Sequence, residues 1–238
     1  MQQLDPTEQA LLAAVDPAPM LAQVQRWSAL NTGTGNLAGL AEQARLLADA
    51  FAGLPGEIAL QAPAPVTQVA ANGGEVAVEY GQHLVLAVRP GAPRRFLLTG
   101  HMDTVFPASH PFQHQHWLDD ATLCGPGVAD MKGGIAVILA ALTAFETSPA
   151  AAAIGYDVLI NSDEETGSLS SAELIAALAR GKAAALTYEP SALPDGTLAG
   201  ARAGSGNYSL IITGRSAHAG RRPRRALCPR RIGANPLH

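Results

Sequence analysis

The chain has 238 residues, 47% of them hydrophobic and 15% charged, which supplies a sizeable core and leaves too little charge for wholesale disorder. Two cysteines, Cys124 and Cys228, exclude a disulfide scaffold and fit a reducing, cytoplasmic compartment. No apolar run reaches the roughly 18–20 residues that cross a bilayer, and the start, MQQLDPTEQA, shows no basic-then-apolar secretory leader. The formal net charge of −4 is unevenly spread. Six of the 16 basic residues fall in 221–238, which hold no acid, leaving 10 basic against 20 acidic residues in 1–220, a net of −10.

In chain order, Met20–Leu30 and Leu37–Leu54 space their apolar residues at helical intervals. NTGTGN (Asn31–Asn36) separates them, with Asn36 placed to cap the second helix. Between Glu57 and Leu98 the texture turns to short β-type runs, VTQVA, EVAVEY, HLVLAV and RFLL, punctuated by Gly and Pro. RFLLTG (Arg95–Gly100) reads as a buried strand, Met131–Glu146 as an apolar helix and Tyr156–Asn161 as a strand. Ser170–Arg180 then reads as a helix and Ala183–Glu189 as a strand. That alternation predicts an α/β fold with a mixed, largely parallel sheet and helices on both faces. From Leu198 a two-fold pattern returns, with Tyr208–Gly214 as a half-exposed strand opening a second domain.

The chemistry gathers at strand ends. His101 and Asp103 follow RFLLTG, Asp130 stands just before the Met131 helix, Glu164 and Glu165 follow YDVLIN, and Glu189 closes the next strand. Open α/β sheets bind ligands at the carboxyl ends of their strands, so these groups converge on one edge. Gathered carboxylates repel one another unless cations neutralise them, and an imidazole among carboxylates suits Zn²⁺, with Mn²⁺ or Co²⁺ as alternatives. The His-x-Asp spacing puts both side chains on one side of an extended segment, so Asp103 can orient His101. Of the adjacent glutamates, one can bind metal while the other takes a proton from water. The cluster HPFQHQH, with His110, His114 and His116, reads as a surface loop or a substrate rim. Trp27 and Trp117 read as packing residues, and Cys124 lacks a basic helper that would make it a nucleophile.

These motifs resemble the zinc-dependent exopeptidases that include glutamate carboxypeptidase, acetylornithine deacetylase and succinyl-diaminopimelate desuccinylase. LLTGHMDTVFP (Leu97–Pro107), GPGVADMKGG (Gly125–Gly134), NSDEETGS (Asn161–Ser168) and TYEPS (Thr187–Ser191) are similar to the family's four metal motifs in order. GSGNYSLIITGRSAHAG (Gly204–Gly220) is similar to the start of its lid, or dimerisation, domain, which implies an α+β fold there. The EP of the fourth motif and the SAHAG run favour the glutamate carboxypeptidase branch. The resemblance implies a two-zinc site in which Asp130 bridges the ions, His101 and Glu189 complete the first and Glu165 binds the second. It implies that Glu164 is the general base, that Asp103 orients His101, and that His218 reaches across a homodimer to the oxyanion. The implied reaction is amide hydrolysis that releases a C-terminal amino acid such as glutamate from a small peptide or N-acyl amino acid. Deacylation of N-acyl amino acids and dipeptide cleavage are the other enzymatic readings.

The resemblance runs from about Trp27 to Gly220 and implies a further ligand histidine from a later part of the catalytic domain. The expected organisation is 1–197 as part of the catalytic domain, 198–220 as the beginning of the lid, and 221–238 as a tail. RRPRRALCPRRIGANPLH has three prolines, paired arginines and no apolar periodicity, which fits an out-of-frame or disordered end better than a nucleic-acid arm. A C-terminally shortened remnant that binds at most one metal is therefore the alternative to an active enzyme. Neither nucleic acid nor membrane is expected as a partner.

Overall fold

The computed structural model describes residues 4–70, 72–193, 195–197, 200, 204, 206, 208–210 and 232–233. Three helices lead the chain: α1 (Pro6–Ala13), α2 (Pro17–Ser28) and α3 (Leu37–Phe51). Each start is set by sequence. Asp5 and Glu8 form a reciprocal capping box on α1, Asp16 accepts the Ala18 N–H on α2, and Asn36 accepts the Gly39 N–H on α3. Strands β1 (Glu57–Gln61), β2 (Val66–Val69), β3 (Glu75–Val78), β4 (His83–Val88) and β5 (Arg94–His101) follow, then a hairpin of β6 (His116–Asp119) and β7 (Thr122–Cys124). A wide turn, Val128–Lys132, leads into α4 (Gly133–Glu146). Next come β8 (Ile154–Asn161), α5 (Ala172–Ala179) and β9 (Ala184–Thr187).

Residues 4–64 and 79–190 form one compact unit around a five-stranded sheet of order β1-β4-β8-β5-β9. β1 and β4, and β4 and β8, pair antiparallel, whereas β8, β5 and β9 run parallel, so the sheet is mixed with a parallel half. Leu84, Leu86 and Val88 of β4, Leu98 of β5, and Tyr156, Val158 and Ile160 of β8 pack with α2, α3 and α4 in the main core. The other face is narrower: Val85, Leu97 and Leu159 meet Leu174, Ile175 and Leu178 of α5. Beside that second cluster the buried Asp157 carboxylate receives two 2.9 Å contacts from Arg95 and pairs with Lys182, tying β8 to β5 and to the α5–β9 connection. Val128–Glu146 is long and apolar enough to span a membrane by composition. However, Ile135, Ala136, Ile138, Leu139 and Leu142 are buried in the core, which accounts for its apolarity.

The second unit joins residues 65–78 to those beyond 190. Within it β2 and β3 form an antiparallel hairpin, and β10 (Ser209–Leu210) pairs antiparallel with β11 (Ile232–Gly233). Most of the stretch read as the opening of a lid lies outside the described residues.

Candidate metal centre

Parallel pairing puts His101, the last residue of β5, beside Asn161, the last of β8, while Thr187 at the end of β9 pairs with Thr99. Three strands therefore end together, and the loops beyond them carry the site. His101 and Asp103 are buried, Glu165 and Glu189 partly so, and Asp130 and Glu164 are exposed. Asp130 lies in the turn before α4. Gly127 enters that turn with φ +69, a left-handed conformation that glycine adopts without a Cβ clash, and Asp130 itself is extended. Glu189 arrives two residues after β9. A Cβ on Gly134 would stand 2.1 Å from the Tyr188 carbonyl oxygen, so only glycine lets the first turn of α4 touch the backbone beside Glu189.

The His101 ring organises these groups. Its Nδ1–H donates to the Asp103 backbone carbonyl at 3.0 Å and lies 3.3 Å from the Asp103 carboxylate, which fixes the tautomer. The Nε2 edge then faces Asp130 Oδ1 at 2.9 Å, Glu189 Oε1 at 3.6 Å and Glu164 Oε2 at 4.0 Å. Donor atoms of His101, Asp130 and Glu165 all lie within 4.8 Å of one another. Burial by itself would lower the His101 pKa, but contacts with Asp103, Asp130 and Glu189 override it and push the ring up to about 12. The His101 contact holds Asp130 below the usual carboxylate range. Burial and the surrounding acids raise Glu164, and raise Glu165 to about 7.

This donor set fits a divalent cation. The carboxylates crowd one imidazole so closely that the ring draws a proton to balance them, and an ion among the same atoms would supply that charge. Each ligand stands about 2.0–2.2 Å from zinc, so oxygens 2.9 and 3.6 Å from Nε2 are close enough to share one ion with it.

Asp103 reaches further than the His-x-Asp spacing implies. Its oxygens also accept Thr34 Oγ1–H at 2.7 Å and the backbone N–H groups of Glu164 and Glu165 at 3.2 Å each. Thr34 had no signal beyond its place in a glycine-broken connection. Lys132 was also unforeseen. Fully buried, its Nζ donates to the Trp27 and Leu30 carbonyls at the end of α2 and anchors the Asp130 turn there. Of the other residues singled out, His114 and His116 are exposed and His110 partly so. Trp27 is buried at 2% exposure, but Trp117 is 48% exposed on the β6–β7 hairpin, a short two-stranded ribbon outside the five-stranded sheet. Cys124 is a free thiol. His218 lies outside the described residues.

The sequence profile of peptidase family M20/M25/M40 matches residues 97–216, half of the chain, a span that includes every one of the six clustered side chains. The chain belongs to peptidase family M20/M25/M40. It is similar to carboxypeptidase G2 of Pseudomonas sp. strain RS-16, with 31% identity over 216 residues that cover 89% of this chain and 48% of that protein. It is also similar to a succinyl-diaminopimelate desuccinylase of Xanthomonas oryzae pv. oryzae strain PXO99A, with 34% identity over 140 residues that cover 54% of this chain and 36% of that one. Its fold is shared by a dipeptidase of Saccharomyces cerevisiae at TM-score 0.57 and 16% identity, over 87% of this chain and 42% of that one. This M20/M25/M40 member thus spans about half the length, or less, of these relatives.

Proposed function

We propose that this site serves hydrolysis of an amide bond, releasing a C-terminal amino acid such as glutamate from a small peptide or N-acyl amino acid. The observation that carries the reading is the His101 ring, with Nδ1 committed to Asp103 and Nε2 turned towards acidic oxygens from three separate loops. His101, Asp130 and Glu189 would hold one divalent ion, zinc by preference, with Asp130 shared towards a second ion at Glu165. Bound there, the ions would acidify a water and polarise the substrate carbonyl. Glu164 is the general base. Partial removal from water and the neighbouring acids raise its proton affinity, so it takes a proton from the attacking water as the water oxygen bonds to the carbonyl carbon. When the C–N bond breaks, Glu164 gives that proton to the leaving nitrogen. Asp103 holds the ring tautomer that leaves Nε2 free. His218 is assigned to the developing oxyanion across a homodimer, and the free thiol of Cys124 is compatible with a cytoplasmic setting.

One observation favours a second reading, a non-hydrolytic binder of a single ion. Among the described residues only one donor group assembles, and the second ion would have Asp130 and Glu165 alone. Metal analysis of the purified chain together with an assay on an N-acyl glutamate separates the two. Two equivalents of zinc, with turnover lowered at least about 100-fold by Glu164→Gln at unchanged metal content, support the hydrolase. One equivalent or none, without turnover, refutes it for this chain.

A further inference from the structure

The turn bearing Glu164 and Glu165 is held twice. Asp103 takes the N–H groups of both glutamates, as described above. The second hold is a sealed polar cluster of His83, Ser162, Asp163, Ser170 and Ser171, none more than 3% exposed, to which neither metal binding nor proton transfer gives a role. The Asp163 carboxylate is its centre. Oδ2 accepts from Ser170 N–H (2.7 Å), Ser170 Oγ–H (2.8 Å) and Ser171 N–H (3.2 Å), and Oδ1 accepts from Ser171 Oγ–H (2.7 Å) and Asn161 Nδ2–H (3.2 Å). The loop from the end of β8 to the start of α5 is thereby closed into a ring, with Glu164 and Glu165 inside it. Gly167 and Ser168, both at positive φ, turn the chain back, a conformation unfavourable for the serine unless its surroundings impose it.

His83 of β4 braces the ring from the sheet. Its Nδ1 accepts the Ser162 N–H at 3.3 Å, and Nε2–H points to Ser170 Oγ at 3.3 Å, which in turn donates to Asp163. Ser162 Oγ–H donates to the Gly81 carbonyl at 2.7 Å, just before β4. Burial lowers the His83 pKa in spite of the nearby Asp163 charge, in keeping with a neutral ring that accepts on one side and donates on the other.

We propose that Asp163, braced by His83 through Ser170, is a positioning residue for metal capture that acts through Glu164 and Glu165. By holding their turn it sets where the Glu165 carboxylate stands relative to His101 and Asp130. The inference rests on the metal-site reading above. All five partners of Asp163 donate, so an ionised carboxylate fits and an amide does not, because the amide would set its own N–H against one of them.

The test uses Asp163→Asn and Ser170→Ala in the 238-residue chain. Ser170→Ala keeps both backbone donors and removes only the hydroxyl that links His83 to Asp163, so it reports on the brace even if Asp163→Asn does not fold. In the metal-free chain, amide exchange at Glu164 and Glu165 should accelerate at least about tenfold while exchange along α5 stays close to that of the unsubstituted chain. Affinity for Co²⁺ should fall about 10–100-fold for Asp163→Asn and by less for Ser170→Ala, and the visible spectrum of bound Co²⁺ should change with it. A lowered melting temperature with unaltered Co²⁺ affinity and spectrum would show that the cluster serves only the fold, and would overturn the proposal. Unchanged exchange at Glu164 and Glu165 would overturn it with or without metal. If the unsubstituted chain takes up no Co²⁺, the metal-site reading falls instead, and the exchange measurement alone decides whether the turn is braced.

Discussion

Replacing Asp103 by alanine tests the site at its most connected point. The substitution removes a fully buried carboxylate that accepts Thr34 Oγ1–H and two backbone N–H groups and faces His101 Nδ1. Hydrogen bonds to a charged partner contribute about 1.5–3 kcal/mol each. The three do not add in full, because the Glu164 and Glu165 amides are only part-buried and can turn to water. Removing one negative charge also relieves Glu164 and Glu165, which both feel repulsion from Asp103. The net expectation is a loss of about 2–4 kcal/mol in stability. Losing the partner of a metal-binding imidazole should also weaken Co²⁺ binding about 10–100-fold, or about 1.4–2.7 kcal/mol. Urea denaturation of the metal-free chain reads the first quantity and Co²⁺ titration the second. Asp103→Asn keeps the volume but sets an amide N–H against one of these donors, so it should lose about as much as alanine on both. A stability loss below about 1 kcal/mol together with unchanged Co²⁺ affinity would refute the account of Asp103 as the common anchor of ring and turn.

Asp157→Ala leaves Arg95 and the nearly sealed Lys182 without their counter-charge, and should cost about 3–5 kcal/mol in urea melts while sparing Co²⁺ affinity. Above pH 7 metal uptake should fall about tenfold for each pH unit lowered, because the entering ion displaces the proton that His101 holds when metal-free, and it should fall more steeply below 7, where Glu165 also gives up a proton; titrations at several pH values give the slope directly. The same shifts fix the sign of the metal-free stability profile. Glu165 titrates at about 7 in the fold against 4.5 for its ordinary value, so its contribution grows as pH falls through 7 and is lost above it. The raised His101 pKa acts in the same direction, its contribution being complete below 6.5 and lost as pH climbs towards 12. Thermal melts of the metal-free chain should therefore midpoint lower at alkaline than at mildly acidic pH, and saturating zinc should reverse the trend.

The parallel half of the sheet and its helices were legible because each element has a strong period of its own. Arg94–His101, Ile154–Asn161 and Gly133–Glu146 lie within about two residues of the runs read from sequence, and Asn36 caps α3 as expected. Convergence of His101, Asp130, Glu164, Glu165 and Glu189 was legible too, because parallel strands bring their carboxyl ends to one edge whatever the loop details. Less visible were the groups that fix the donors by contacts distant in sequence. Thr34 meets Asp103, His83 meets Ser170, and Lys132 meets the carbonyls of Trp27 and Leu30, and no local spacing announces such pairs. The tryptophans show the same limit. A bulky apolar residue in a short run reads as core, yet Trp117 sits on a two-stranded hairpin and is half exposed.

The contact between Gly134 and the Tyr188 carbonyl bears on how closely the site can gather its donors. The gap between the loop before α4 and the loop after β9 is gauged by main chain resting on main chain, not by side-chain rotamers. Repacking the core around it will not widen that gap, since rotamer changes leave the stop in place. Any side chain at position 134 would meet the Tyr188 carbonyl first, so a substitution there should part the two loops and loosen the grip of the donors they carry.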